Sequence, residues 1–342
     1  MKSKAYLLYF LFFFILITAN GVIGKEKSEP EIKPIGYYNY QLFKSFGKYG
    51  RSRGYFDNPT DMAIDISENA LYIVDKGNER IQKFDCEGDY ITYWDYEDLK
   101  RDSRKVEDFF EHFNLILPKN NREIEPFTTE NKLFERLKFD KIEAITIPNS
   151  SLFKERNIFL LQATYNYTDI ALDRNDNLYI IANKTCTILK FKVSLDIEGK
   201  IEYIDSFGGF GSGDGYFYSP TKIAFDSSKF MSIWVLDSKD GKLHNFDLNG
   251  EFLKAFIPKD KNNKTLKKPQ DLCIDNHGFI FISDKETHRI YKYNNEGLYI
   301  QSIGKEGDNT ADFKDPSALS VDNEGRLFVL DTGNNRIQIF KP

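Results

Sequence analysis

Three aspartates occupy the same place in a stretch that recurs along this chain: Asp61 after Pro59-Thr60, Asp271 after Pro269-Gln270, and Asp169 after Thr168. At the start of an inner strand each acid either holds its own turn or joins the others in a cluster of channel acids. A second set comes in pairs, each acid five residues ahead of its base: Asp75 and Arg80, Asp237 and Lys242, Asp284 and Arg289, Asp331 and Arg336. Such a pair meets across a strand-to-strand turn while the carboxylate also accepts turn amide protons. Because each acid carries its own base, the pattern predicts architecture; a ring of carboxylates around a cation is the functional alternative. In another copy Ala182 and Thr187 replace both members together, as a structural pair would. His112, His244, His277 and His288 share no repeat position and are predicted to be solvated or to sit in turns. No Ser, His and Asp set or Cys and His set falls on corresponding positions, so no catalytic residue is assigned.

The elements that must position these groups are short strands. Copies of one pattern run through 59–84, 168–191, 220–246, 269–293 and 316–340, with apolar runs such as Leu71-Tyr72-Ile73-Val74 separated by turns such as Asp322-Asn323-Glu324-Gly325. Asparagine and glycine accept the positive φ of tight hairpins, so each copy predicts a meandering antiparallel sheet. A fourth strand follows the third and fourth copies, at 251–256 and 298–303, but the chain ends before the last copy can acquire one. Residues 40–47 match the fourth strands at 203–208 and 299–304, so the two ends are predicted to complete one blade together. The fold class is all-β: a closed propeller of four-stranded antiparallel blades.

Copies begin near residues 59, 167, 220, 269 and 316, so the first step spans two blade lengths. Six blades are therefore expected, five clear and one degenerate within 96–166, with strands at 141–147 and 157–162. The same stretch is irregular. Residues 97–143 hold 22 charged side chains in 47, and Val106, Phe109, Phe110, Phe113 and Leu117 recur at helical spacing. A helical insertion is predicted, with one helix over 97–117 and a second through 131–137, as decoration on the rim or as a lid or partner-binding element.

The runs Asp75-Lys76-Gly77-Asn78-Glu79-Arg80-Ile81-Gln82-Lys83-Phe84 and Asp331-Thr332-Gly333-Asn334-Asn335-Arg336-Ile337-Gln338-Ile339-Phe340 resemble the NHL repeat. The resemblance covers 40–95 and 167–342. It implies a scaffold that serves for binding proteins, RNA or glycans and, less often, for catalysis. Lyases acting on peptidyl-hydroxyglycine look like NHL propellers and hold zinc through histidines of several blades, a pattern the four histidines here do not match. Lactonase-like propellers hold calcium through channel acids and asparagines, which is the form of metal site that Asp61, Asp169 and Asp271 would take. No cofactor is expected otherwise.

Two features predict binding. The glycine-rich aromatic loops 50–56 and 211–217 place Tyr55 and Tyr216 at one end of the propeller as platforms for sugar rings or peptide. The lysines Lys259, Lys261, Lys264, Lys267 and Lys268 share that end, as an anion-binding loop or as solvated surface. Residues 1–24 read as a signal peptide or retained anchor, with the basic start Lys2 and Lys4 and an apolar run to Thr18, and 25–39 as a linker to the propeller at 40–342. Without Lys2 and Lys4 the formal charge falls from −5 to −7, which argues against a nucleic-acid partner. Cys86, Cys186 and Cys273 are odd in number and lack metal-type spacing, so free thiols are predicted. The reading is an exported, non-catalytic propeller that binds a protein or glycan at the cell surface, touching membrane only through a retained anchor. The alternatives are a metal-dependent lyase or lactonase and a structural module of a surface assembly.

Overall fold

The computed structural model describes residues 39–65, 69–95, 167–193 and 201–342. These form twenty strands in five four-stranded antiparallel sheets. Blade one contains β2 (Pro59–Asp65), β3 (Ala70–Asp75), β4 (Arg80–Asp85) and β5 (Tyr90–Asp95). Blade two contains β6 (Tyr167–Leu172), β7 (Asn177–Ala182), β8 (Thr187–Val193) and β9 (Ile201–Gly208). Blade three contains β10 (Pro220–Asp226), β11 (Ser232–Asp237), β12 (Lys242–Phe246) and β13 (Phe252–Phe256), and blade four β14 (Pro269–Ile274), β15 (Ile280–Asp284), β16 (Arg289–Tyr293) and β17 (Tyr299–Ile303). Blade five joins the chain ends as expected: β18 (Pro316–Val321), β19 (Leu327–Asp331) and β20 (Arg336–Lys341) take β1 (Gln41–Phe46) as the outer strand, with Leu42 opposite Phe340 and Phe46 opposite Ile337.

Among the described residues there are five blades where six were expected, and no α-helix. The stretch 96–166, to which the degenerate blade and the helical insertion were assigned, lies outside the described residues. A spacing of two blade lengths measures chain length and is by itself a weak count of sheets. The signal or anchor at 1–24 and the linker also lie outside the described residues. Among the described residues no helix is long and apolar enough to cross a membrane.

Burial comes from stacking neighbouring sheets. One core joins blades five and one through Ile337, Phe328, Met62 and Phe84; others join two to three, three to four and four to five. Blades one and two share no such cluster among the described residues, at the junction where 96–166 leaves and re-enters.

Two recurring irregularities decide where side chains point. In the inner strands of blades one, three, four and five the register shifts immediately after the first proline, ahead of Asp61, Lys222, Asp271 and Ala318. A bulge re-aims the following side chain: Asp61, Lys222 and Asp271 line the central cavity, whereas Ala318 packs in the core between blades five and one. In every outer strand a second bulge leaves one apolar residue unpaired: Phe43, Ile91, Ile204, Leu253 and Ile300. That kink blunts the strand edges that would otherwise template pairing with another chain.

Candidate functional site

Inner strands from all five blades line a central cavity of about 170 Å³. Its apolar wall includes Ile170, Ile223, Leu272 and Leu319, and its polar cluster is Asp61, Asp169, Lys222 and Asp271. The three aspartates singled out from the sequence therefore come together. The position that sequence reasoning missed is Lys222, which takes the aspartate's place in blade three; comparing the residue two places after each leading proline would have found it. Its ammonium lies 3.5 Å from Asp271 Oδ1. Burial works to lower the Lys222 pKa, but Asp169, Asp271 and Asp61 outweigh it and raise the pKa above the ordinary lysine value. A lysine thus supplies a positive charge in the midst of the acids.

The acids also tie blade to blade. Asp169 Oδ2 accepts the amide of Ile223 at 2.9 Å, and Asp271 Oδ2 accepts that of Leu319 at 2.7 Å. Each carboxylate thus binds an amide within the inner strand of the next blade. Burial pushes Asp169 up to about 7, against the pull of Lys222 and the Ile223 amide, with Asp271 and Asp61 adding to the rise.

The acid and base pairs diverge. In blades one and five the complete motif forms: Arg80 Nε donates to Asp75 at 2.8 Å and Arg336 Nε to Asp331 at 2.7 Å. The guanidinium then fastens the loop entering its blade, Arg80 donating to the carbonyls of Arg51, Ser52 and Tyr55, and Arg336 to those of Asp308, Asn309 and Asp312. In the other two copies the expected ion pair is absent. Lys242 turns to Asp240 at 3.6 Å, and Arg289 makes no ion pair with Asp284 among the described residues. Backbone amides satisfy the acids instead: those of Tyr218, Ser219 and Lys239 for Asp237, and those of Lys267, Lys268, Glu286 and Thr287 for Asp284. A buried carboxylate needs donors, and a close-packed turn supplies them without a side-chain base.

These anchored loops present aromatic rings. The loops entering blades one and three place Phe56 and Phe217 fully in the core, while Tyr49 and Phe210 are each 70% exposed and Tyr216 is 49% exposed. Gly47 and Gly208, both at positive φ, sit against the Phe56 and Phe217 rings, where a Cβ would collide. Tyr55 is half-buried with the Lys48 ammonium 4.4 Å from its ring centre. Tyr216 is thus an open platform and Tyr55 a covered one; Tyr49 and Phe210 were missed, although each stands two residues after the glycine that closes a fourth strand. The five lysines of 259–268 are exposed, with Lys267 3.2 Å from Glu286.

Histidine placement departs from expectation at one residue. His277 is exposed in its turn, and His288 accepts the Asp315 amide at 3.0 Å. His244 is buried against Phe217 and Phe246, and both ring nitrogens lack a hydrogen-bond partner. Desolvation lowers its pKa. His112 lies outside the described residues. The three cysteines are free thiols, as predicted.

Sheets of this form, arranged around one channel and closed by strand exchange between the chain ends, define a β-propeller. The NHL repeat family matches at residues 56–84 and 313–340, which fall in blades one and five. No curated protein sequence matches the chain. Among solved structures it is similar to virginiamycin B lyase from Staphylococcus aureus, at 11% identity and a TM-score of 0.49, covering 89% of this chain and 100% of that one. It is also similar to a streptogramin B lyase, at 12% identity and a TM-score of 0.39, covering 83% of this chain and 64% of that one. A luciferin-regenerating enzyme is similar at 12% identity and a TM-score of 0.46, covering 84% of this chain and 92% of that one. At these identities and TM-scores no activity transfers from them.

Proposed function

We propose that this protein is an exported propeller that captures a protein or glycan at the cell surface, without turnover, through the end that carries the loops entering its blades. The supporting observation is the trio Tyr49, Phe210 and Tyr216, exposed rings on loops of two blades whose bases are packed and hydrogen-bonded. Exposed aromatics on a pre-organised loop offer stacking area with little ordering entropy left to lose, which suits sugar rings and peptide chains. Tyr55 and the lysines Lys259, Lys261, Lys264, Lys267 and Lys268 border the same end and would contribute contacts to anionic groups. The channel supports the non-catalytic reading: Lys222 already neutralises part of the acid cluster, and about 170 Å³ is less than the roughly 300 Å³ at which pockets begin to enclose drug-sized ligands.

The test is binding of purified chain to glycan and peptide arrays, followed by titration of the hits. Tyr49→Ala, Phe210→Ala and Tyr216→Ala are each expected to weaken capture while leaving the melting temperature unchanged. Capture indifferent to all three would overturn the reading. A catalytic alternative is favoured by one observation, the Asp169 carboxyl pushed up to about 7 by burial beside Lys222 in a channel, an arrangement that acid–base sites share with structural ion pairs. Turnover of a lactone or peptidyl-hydroxyglycine substrate that Asp169→Asn abolishes would establish it.

A further inference from the structure

The turn between β11 and β12 carries a chemical substitution that the other blades place in relief. In blade one a single carboxylate oxygen, Asp75 Oδ2, receives three side-chain donors: Asn78 at 2.8 Å, Arg80 at 2.8 Å and Gln82 at 3.0 Å. Blade five repeats this set with Asn334, Arg336 and Gln338 around Asp331 Oδ2 at 2.9, 2.7 and 3.2 Å. The corresponding residues of blade three are Asp237, Asp240, Lys242 and His244. Asparagine has become an aspartate and glutamine a histidine, and the base has swung to Asp240. Three donors converging on an acid have given way to two carboxylates and an imidazole.

One ligand atom from each of Asp237, Asp240 and His244 lies within 4.8 Å of the others. His244 is 1% exposed, and its Nδ1 and Nε2 have no partner, although a buried ring nitrogen without a hydrogen bond is costly. Asp237 accepts three amides, which leaves one of its four lone-pair sites for a further partner. The Asp240 side chain is partly exposed, at 27%, so an ion can enter. We propose that Asp237, Asp240 and His244 hold one divalent transition-metal ion of zinc-like chemistry. Imidazole with two carboxylates suits zinc and its neighbours, whereas calcium and magnesium favour oxygen-only sets.

Its structural work parallels that of Arg80 and Arg336. In those blades a guanidinium joins the aspartate to the loop entering the blade. In blade three the loop is 209–219, which presents Phe210 and Tyr216, and Asp237 receives its Tyr218 and Ser219 amides. The ion would supply the positive charge that this aspartate lacks, with water completing the coordination shell.

The experiment uses full-length chain produced without a metal-binding tag, stripped with chelator and titrated with Co²⁺ and then Zn²⁺. One equivalent is expected to bind, with a visible Co²⁺ d–d band, no thiolate charge-transfer band, and a melting temperature raised by Zn²⁺. His244→Gln and Asp240→Asn are each expected to weaken uptake by more than about tenfold, since losing even an outer-shell partner costs that much, whereas Asp61→Asn in the channel retains it. The triple variant Asp240→Asn, Lys242→Arg, His244→Gln rebuilds the donor set of blades one and five. It is expected to fold without metal and to melt at a temperature indifferent to Zn²⁺, so it decides the matter if a single variant does not fold. Failure of the parent chain to take up either ion, or uptake undiminished in the triple variant, would overturn the proposal.

Discussion

Lys222 of blade three lies 3.5 Å from Asp271 of blade four, so neighbouring blades are joined across the channel by charge as well as by apolar packing. The same ammonium is raised in pKa by Asp169 of blade two and Asp61 of blade one. Removing it leaves several half-buried or buried carboxylates without their counter-charge. Lys222→Met is therefore expected to destabilise the fold by about 3–5 kcal/mol, the cost typical of breaking a buried pair from one side. Urea titration of the variant against the parent chain measures this, and a loss below 1 kcal/mol would mean that the cluster is solvated.

The pH dependence of that cluster has an unusual sign. A carboxyl usually loses pKa on folding, but Asp169 rises from 3.8 to about 7. The folded state then binds the proton more tightly than the unfolded state, so this group's contribution to stability is full below about pH 4 and is lost as pH rises through 7. Asp169→Asn is expected to flatten the fall in stability between pH 4 and 7. Urea midpoints across that range for both chains provide the measurement, and parallel slopes would show that Asp169 is ionised throughout.

The blade pattern was legible because hairpin turns and strand alternation are local, and so was ring closure, since the Gly47 that follows β1 repeats Gly208 and Gly304. Blade number was not legible, because 108 residues between copies measure chain length and not sheets. In the channel, a search for repeated acids found Asp61, Asp169 and Asp271 but passed over Lys222, whose meaning appears only when unlike residues at one register position are compared. His244 was invisible for a related reason. Burial of a polar ring depends on Phe217 and Phe246, which approach it from another element and from two residues along its own strand. The turn aspartates were read through their glycines alone, while the structure shows Asp85, Asp173, Asp247, Asp275 and Asp322 each accepting the amides two and four residues on.

Closure at the chain ends has a direct test. β1 pairs with β20, Tyr40 donates its hydroxyl to the Gly325 carbonyl at 2.9 Å, and Lys44 pairs with Asp89 of blade one at 3.1 Å. The strand thus completes blade five and reaches the next blade. Deleting residues 25–47 is expected to abolish a single cooperative melt, whereas deleting 25–35 leaves the melt in place. Calorimetry of the two truncations separates them, and equal transitions would refute closure by β1.

The aspartates that end the second strands should differ in cost according to what they hold. Asp284 accepts four backbone amides and no arginine, so Asp284→Ala strands amides that nearby water can partly satisfy; a loss of about 1–3 kcal/mol is expected. Asp75 holds Asn78, Arg80 and Gln82 together, and Arg80 is itself buried with three loop carbonyls on its guanidinium. Asp75→Ala leaves that cation without a counter-charge and is expected to cost about 3–5 kcal/mol. It should also loosen the loop that carries Tyr49, which amide hydrogen exchange over 48–57 would register as lost protection. Arg80→Met in the Asp75→Ala background should recover part of the loss, because removing the stranded charge removes its desolvation cost. Equal destabilisation by Asp284→Ala and Asp75→Ala, with no recovery in the double variant, would place the energy in the turn amides and not in the arginine.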